Sequence, residues 1–287
     1  MCKLIVQLEV GPNWGWSKDP VYTSISVTPW GLELVAITFT LLHGTRLNGI
    51  IVESSPLRND GGGIGKALAQ HFISNGKKVI IAGRMESKLQ QACKEIRAAA
   101  YSVLDTGVVS EIPAIVRRVV SEHPELDCLV NNAGVQRPLS VVKMAPEEFL
   151  EKADQEIDIN TRGPMHLALH FLSHLRAEPH AVIINVSSVL GFAPFALINP
   201  IIAYNMINGN VLYHRGKLDG TNARVVGIVP PTVVTDLHRE REDPDGNKKS
   251  SNPSTLSVDE FIAEISKPLE DGDETIGAGM GVSLAHR

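Results

Sequence analysis

The chain has 287 residues, of which 43% are hydrophobic and 21% charged, proportions typical of a soluble globular protein. Its net charge of −5 excludes the basic surface that nucleic-acid binding requires, so no DNA or RNA partner is expected. Three scattered cysteines, Cys2, Cys93 and Cys128, lack CxxC spacing. We therefore expect neither a disulfide framework nor a zinc knuckle, and we predict a reducing, cytoplasmic location.

The first residues contain no signal peptide, because their apolar run is short and lacks a small-residue cleavage site. The most apolar stretch, residues 31–42, contains Glu33 and is too short to span a bilayer. We interpret it as a buried strand or a short helix, with a peripheral membrane anchor as the alternative. No transmembrane span is predicted.

From residue 64 to about 190, helical and strand patterns alternate along the chain. The predicted helices cover residues 64–76, 86–100, 111–124 and 146–179, the last with a break near Gly163-Pro164. The predicted strands cover residues 77–83, 101–107, 126–134 and 180–188. Strands that are continuously apolar are buried on both faces. The alternation predicts a Rossmann-like α/β fold with a doubly wound parallel sheet, whose ligands lie at the carboxyl ends of the strands.

The last third of the chain continues the pattern after a less regular stretch. Residues 222–232 predict a strand, and residues 257–272 predict a helix that begins with a capping box of Ser257 and Glu260. Between them, residues 236–256 are polar and have no periodicity, so we expect a mobile substrate loop over about 232–256. Residues 275–284 predict a final strand.

A glycine-rich turn opens the helix predicted at residue 64. The sequence NDGGGIGKALAQ, residues 59–70, offers backbone N–H groups and a helix N-terminus that suit a pyrophosphate. A P-loop would need Gly at Asp60 and Ser or Thr at Ala67, so that motif is excluded. A purely structural tight turn is the remaining alternative.

Taken in order, the motifs resemble those of the short-chain dehydrogenase/reductase family. The glycine-rich turn ends in GIG at 63–65, NNAG occupies 131–134, and Asn160 stands in the next helix. Ser188 and the segment VPPTVVT at 229–235 complete the set, and the resemblance covers roughly residues 60–284. It implies one domain over residues 46–287, preceded by an atypical extension, residues 1–45, that matches nothing in the family.

The resemblance implies a nicotinamide cofactor and a small alcohol or carbonyl substrate. The residues that it places around the cofactor are Gly61, Gly63, Ile64, Gly65, Arg84, Asp105, Asn132, Ala133, Gly134, Pro230, Thr232 and Thr235. An NAD enzyme usually has an acidic residue after the second strand, where this chain has Arg84. A guanidinium suits a 2′-phosphate, so NADP(H) is favoured over NAD(H). Asp105 resembles the family residue that contacts the adenine amino group.

The family's mechanism requires a tyrosine that exchanges a proton with the substrate oxygen. The pKa of tyrosine is about 10, and the family lowers it with a lysine one helical turn later. Tyr213 and Lys217 have that spacing, but they would leave almost no helix before the strand at 222–232. Tyr204 fits the family context better, and its lysine position then holds Asn208. The implied catalytic set is Asn160, Ser188, Tyr204 and Asn208, with Asn160 organising a proton-relaying water.

Departures from the family cluster in two blocks. Asn208 has no charge to lower the pKa of a tyrosine, and Arg58-Asn59 replace the usual Thr-Gly of the first motif. The sequence therefore allows a weakened enzyme, a catalytically inactive protein that binds a nucleotide or a partner, or an altered reading frame in those blocks.

A long helix carries three histidines at four-residue spacing, His166, His170 and His174. No carboxylate or cysteine completes a metal-ligand set, and no metal site is predicted. The same helix resembles the family's subunit-contact helix, which implies a homodimer or homotetramer.

Overall fold

Seven strands form one sheet in the part of the chain that the computed structural model describes, residues 49–52, 63–192, 218, 221–238, 243 and 245–285. The strands are β1 (Gly49–Val52), β2 (Val79–Gly83), β3 (Ala100–Val103), β4 (Cys128–Asn131), β5 (Ala181–Val186), β6 (Ala223–Val229) and β7 (Thr275–Gly277). Their spatial order is β3-β2-β1-β4-β5-β6-β7, and every neighbouring pair is parallel. The predicted Rossmann-like, doubly wound α/β fold is confirmed.

Helices connect the strands and cover both faces of the sheet. They are α1 (Ile64–Ser74), α2 (Glu86–Ile96), α3 (Ile112–Glu122), α4 (Pro146–Ile157), α5 (Gly163–Leu175), α6 (Val258–Asp271) and α7 (Gly281–Ala285). Among the helices described, none combines the length and the apolar character needed to cross a bilayer. The interpretation of residues 31–42 concerns residues outside those that the structure describes.

The apolar side chains of the strands contribute to two hydrophobic cores, one on each face of the sheet. Successive side chains of a strand point to opposite faces, so Ile50 and Ile51 enter different cores. One core packs against α1, α2 and α6 and contains the fully buried Phe261. The other packs against α3 and α5 and contains Phe171. These layers leave the carboxyl edge of the sheet for the connecting loops.

Several predicted element boundaries differ from the structure, and two of the differences have a clear cause. The helix predicted to reach residue 100 ends at Ile96, because Arg97 adopts the left-handed conformation with φ of 60° and Ala100 already belongs to β3. The strand predicted for residues 275–284 covers only Thr275–Gly277. Gly279, with φ of +52°, turns the chain out of the sheet, and α7 follows.

The break predicted near Gly163-Pro164 is a π-helical segment that lies just before it. Residues Asp158–Arg162 form this segment between α4 and α5, and Gly163 and Pro164 begin α5. A Cβ atom on Gly163 would lie 2.5 Å from the Thr106 carbonyl oxygen, so only glycine allows this approach of α5 to the loop after β3. The contact fixes the position of the π-helical segment relative to the sheet edge.

The capping box predicted at the start of α6 is present. The Ser257 hydroxyl accepts a hydrogen bond from the Glu260 N–H at 3.1 Å, and the Glu260 carboxylate accepts one from the Ser257 N–H at 2.7 Å.

Helix α6 packs against α1, where the ring of His71 lies 3.5 Å from the Ser266 hydroxyl, measured from Nδ1. Burial lowers the pKa of His71, and the charge of Glu270 partly opposes that shift.

The lowered pKa of His71 predicts a pH-dependent stability. The unfolded chain takes up a proton on this imidazole near its ordinary pKa of about 6.5, whereas the folded protein does so only at lower pH. The contribution of the neutral His71 imidazole to the free energy of unfolding is therefore complete above about pH 6.5. It is lost as pH falls from there towards the folded-state pKa. Urea unfolding at neutral pH and at mildly acidic pH should show a smaller loss of stability on acidification in His71→Gln. The exposed His180→Gln serves as the control and should lose as much as the unmodified chain.

Candidate active site at the carboxyl edge of the sheet

The sheet changes winding direction between β1 and β4. The chain proceeds from β1 to β2 on one side, whereas β4 pairs with β1 on the other side. Val52 and Asn131 are paired at the carboxyl ends of these strands. In open α/β sheets the connecting loops diverge at such a point and leave a crevice for a ligand.

Helix α1 begins at the crevice, and its N-cap residue supplies no side-chain hydrogen bond to the N-terminal amides. Its N-cap is Gly63 in an extended conformation, and Ile64 and Gly65 form the start of the helix. The first turn contains no acidic residue. Uncapped N–H groups and the positive end of a helix dipole suit a phosphate group. Gly61 lies outside the described residues.

The residues Asn132, Ala133 and Gly134 follow β4 directly. Ala133 is buried, and the other two are half-buried. A Cβ atom on Gly134 would lie 3.7 Å from Asn160 Oδ1 and 4.0 Å from the Asn132 carbonyl oxygen, which are ordinary contacts. Among the described residues, the packing therefore does not require glycine at 134, and a ligand that approaches the backbone would explain it.

The side chain of Asn160 holds the loop after these residues. It is 1% exposed and projects from the π-helical segment. Its Oδ1 accepts from the Val135 N–H and its Nδ2 donates to the Val135 carbonyl, both at 2.8 Å. Both ends of the amide therefore bind Val135, and Oδ1 and Nδ2 each keep the capacity for one further hydrogen bond. Single π-helical turns occur frequently at functional sites.

Ser188 lies just beyond β5, on backbone that is tied to the end of β6. The Ser187 N–H donates to Ile228 O at 2.8 Å, and the Val189 N–H donates to Pro230 O at 3.0 Å. The half-buried Ser188 hydroxyl accepts a hydrogen bond from the Leu190 N–H at 3.2 Å. Since its oxygen is the acceptor in that bond, its hydrogen can still be donated to a substrate oxygen.

A buried asparagine pair lies between the loop after β4 and Ser188; Asn131 belongs to the NNAG motif, but its pairing with Asn185 was not predicted from the sequence. Asn131 and Asn185 occupy the same register on β4 and β5, and Asn131 Nδ2 donates to Asn185 Oδ1 at 2.9 Å. Asn131 Oδ1 and Asn185 Nδ2 are buried and have no hydrogen-bond partner among the residues that the structure describes. The available signal was a polar residue at the end of each apolar strand.

Arg84 and Asp105 lie at the carboxyl ends of β2 and β3, which pair with each other. Arg84 follows β2 directly and is exposed. Asp105 is half-buried, and its Oδ1 accepts from the Gly107 N–H at 2.9 Å, which closes a tight turn. Both residues lie on the same edge of the sheet as the N-terminus of α1. Because β2 and β3 are on the opposite side of β1 from β5, both residues are distant from Ser188.

The segment after β6 reaches the same edge from the opposite side. Pro230 is buried, and Thr232 and Thr235 are half-buried. The Thr235 hydroxyl accepts from the Leu237 N–H at 3.4 Å, at the start of a short 3-10 turn, Asp236–His238. This segment continues β6, next to Ser188 at the end of β5.

Tyr204, Asn208 and the alternative pair of Tyr213 and Lys217 lie outside the described residues. The histidines of α5 are described: His166 and His170 stack with ring centroids 6.2 Å apart, and His174 Nε2 lies 2.6 Å from the Leu126 carbonyl oxygen. Within the described part of the chain, no group of three or more possible metal ligands occurs.

Comparisons with known proteins agree on the family. The model of the short chain dehydrogenase family matches residues 60–246. The "Uncharacterized oxidoreductase DltE" of Bacillus subtilis (strain 168) is 31% identical over 215 residues, which cover 75% of this chain and 83% of that protein. The "NADP-dependent 3-hydroxy acid dehydrogenase YdfG" of Shigella flexneri is 28% identical over 209 residues, which cover 71% of this chain and 83% of that protein.

Solved structures are similar in fold at lower identity. A short-chain dehydrogenase from Sphingobium yanoikuyae in complex with NADPH has a TM-score of 0.68 and 19% identity, covering 80% of this chain and 87% of that chain. A gluconate 5-dehydrogenase from Burkholderia cenocepacia J2315 in complex with NADP and tartrate also has a TM-score of 0.68, with 20% identity, covering 85% of this chain and 98% of that chain. Together with the family match, the ordered motifs and the parallel sheet, these similarities identify the chain as a member of the short-chain dehydrogenase family of oxidoreductases.

Proposed function

We propose that the protein is an NADP(H)-dependent oxidoreductase that interconverts an alcohol and a carbonyl by hydride transfer. The observation that carries this proposal is Gly134, next to Asn160, where the packing of the described residues would accept a Cβ atom and so does not itself require glycine. The start of α1 and the donor hydroxyl of Ser188 lie at the same edge of the sheet. The start of α1 would hold the phosphate, Gly134 would leave room for the nicotinamide, and Ser188 would bind a carbonyl oxygen.

The described residues fit the cofactor from one end to the other. The N–H groups at Ile64 and Gly65 would hold the pyrophosphate, and residues 132–134 would line the path to the nicotinamide. Arg84 would pair with the 2′-phosphate, and Asp105 would contact the adenine. Complexes of two similar structures with NADPH or NADP, and the NADP dependence stated for the Shigella flexneri relative, support the choice of cofactor. When bound, the nicotinamide supplies or accepts the hydride.

The protein's own groups would act on the substrate oxygen. The Ser188 hydroxyl would donate a hydrogen bond to the carbonyl and stabilise the charge that develops on its oxygen. Asn160 would fix the Val135 backbone and so the wall of the cleft. Tyr204 would exchange the proton with the substrate oxygen. Asn208 can hydrogen-bond a ribose, but it has no charge that would stabilise a tyrosinate.

A second candidate function is a non-catalytic protein that binds the nucleotide or a partner. The neutral Asn208 at the lysine position favours this alternative. Loss of the cation should raise the pKa of the tyrosine and slow proton transfer by about two orders of magnitude or more. The two functions differ in turnover but share the binding of NADPH.

We also propose a cellular location and an assembly state. We place the protein in the cytoplasm, as a homodimer or homotetramer whose subunits contact each other through α5. Leu169, on the outer side of α5, is 55% exposed and would become covered in such an assembly.

Replacement of Gly134 tests the cofactor site. In Gly134→Ala the new methyl group displaces no protein atom, so the free energy of unfolding should stay within about 1 kcal/mol of the original. A titration with NADPH should show roughly tenfold weaker binding, because the methyl group occupies the cofactor's space. Gly163→Ala, whose Cβ atom would collide with Thr106, should instead lose stability. Unchanged affinity in Gly134→Ala would refute the placement, and absence of NADPH binding in the unmodified protein would refute the proposed function.

Replacement of Arg84 tests the choice between NADP(H) and NAD(H). Because a guanidinium forms charge-assisted hydrogen bonds with a phosphate, Arg84→Ala should reduce the preference for NADPH over NADH by about tenfold or more. The measurement is the ratio of the two dissociation constants. Arg117→Ala, which removes an exposed arginine on α3, is the matched control and should leave the ratio unchanged. Equal losses of affinity for both cofactors in Arg84→Ala would contradict the assignment.

Restoration of the family's lysine separates the two candidate functions. Asn208→Lys should raise the rate of carbonyl reduction by about tenfold or more, since the cation lowers the pKa of Tyr204. Steady-state rates with NADPH and a panel of small aldehydes and ketones measure the effect. Lys217→Ala should leave the rate unchanged if Tyr213 and Lys217 are not the catalytic pair. Intact NADPH binding without turnover in either protein would favour the non-catalytic function.

A further inference from the structure

The strip of residues 232–235, directly after β6, is held along one side by Leu256. The Leu256 N–H donates to the Thr232 carbonyl at 3.1 Å, and the Val234 N–H donates to the Leu256 carbonyl at 2.9 Å. Val233 and Leu256 form an isolated parallel bridge. The backbone groups that take part belong to the even-numbered residues of the strip. This leaves the odd-numbered carbonyls of the strip to another partner.

Asn247 supplies that partner. It belongs to residues 245–256, the segment that also contains Leu256 and that we call the excursion. Its Nδ2 donates to the Thr235 carbonyl at 2.9 Å and to the Val233 carbonyl at 3.4 Å. The side chain is 4% exposed. A primary amide has two hydrogens on one nitrogen, and here each hydrogen has its own carbonyl. The strip is thus bound on both sides by residues 247–256, through a side chain on one side and through backbone on the other.

The other polar contacts of this excursion are weaker attachments. Lys249 forms an ion pair with Glu260 at 2.5 Å, and both side chains are about half exposed. Exposed ion pairs contribute little to stability because water screens them. A buried amide that donates two hydrogen bonds contributes more, and its loss leaves the Val233 and Thr235 carbonyls without that donor. Asn247 is therefore a principal side-chain attachment of the described excursion to the strip.

The strip lies close to the candidate active site, so its attachment affects that site. Residues 232–235 begin two residues after Pro230, whose carbonyl accepts from Val189 next to Ser188. A displacement of residues 245–256 would therefore move the strip relative to the candidate active site. We infer that Asn247 is a positioning residue that couples the excursion at 245–256 to the cofactor-facing strip at 232–235. The inference rests on the proposed function for the cofactor, whereas the attachment itself does not.

Two variants separate hydrogen bonding from packing. Asn247→Asp keeps the volume of the side chain but has no N–H to donate, and Asn247→Ala removes the side chain. In both variants, hydrogen exchange at the amides of Val234 and Leu256 should accelerate about tenfold, because the strip opens more easily. The KM for NADPH should rise roughly tenfold, with a smaller change in kcat. Urea unfolding shows whether each variant remains folded.

Asn252→Ala is the matched control within the same excursion. Asn252 Oδ1 accepts from the Ser254 N–H and hydroxyl in an exposed turn, and the hydrogen bonds described for its side chain do not reach the strip. This variant should keep the original exchange rates and the original KM for NADPH. Unchanged exchange at Val234 and Leu256 in Asn247→Asp would overturn the attachment. Faster exchange with an unchanged KM for NADPH would overturn the coupling to the cofactor. The exchange experiment needs no cofactor, so a failure of the proposed function is distinguishable from a failure of this inference.

Discussion

The two hydrogen bonds between the Asn160 amide and the Val135 backbone connect the helical layer of this protein to its sheet edge. The side chain can reach Val135 because the π-helical segment at Asp158–Arg162 inserts an extra residue between α4 and α5. The close approach of Gly163 to Thr106 then fixes the start of α5. A local irregularity of the helix therefore determines where the loop after β4 lies, and hence the width of the crevice above β1 and β4.

Much of the architecture could be predicted from the sequence because its signals are local and periodic. The continuous apolar character of residues 79–83 and 181–186 identifies buried strands, and Ser257 with Glu260 identifies the start of α6. The motif residues Asn132, Ser188 and Pro230 fall at strand ends that the parallel sheet brings to one edge. The family's ordered motifs located these residues without any knowledge of distances.

The remaining features depend on contacts between distant parts of the chain, which a local pattern does not encode. The π-helical segment continues the helical sequence from α4 into α5 without a periodic signal of its own, and the contact with Val135 gives Asn160 its position. Asn247 stands in a polar, unperiodic stretch that resembles a solvated loop, yet it is buried because the strip after β6 provides two carbonyls. The left-handed Arg97 ended α2 earlier than helix propensity alone indicated.

The half-satisfied pair of Asn131 and Asn185 also specifies how β4 and β5 align during folding. The surrounding residues of both strands are apolar on both faces, so burial alone would tolerate a shift of one strand along the other. A one-residue slip would turn the Asn185 amide into the opposite core, among Val130, Ile265 and Phe261, without its partner. Each unsatisfied buried polar group costs about 1–3 kcal/mol, so the misaligned sheet is strongly disfavoured. The hydrogen-bonded amide pair therefore favours the native register of β4 and β5 over a register shifted by one residue.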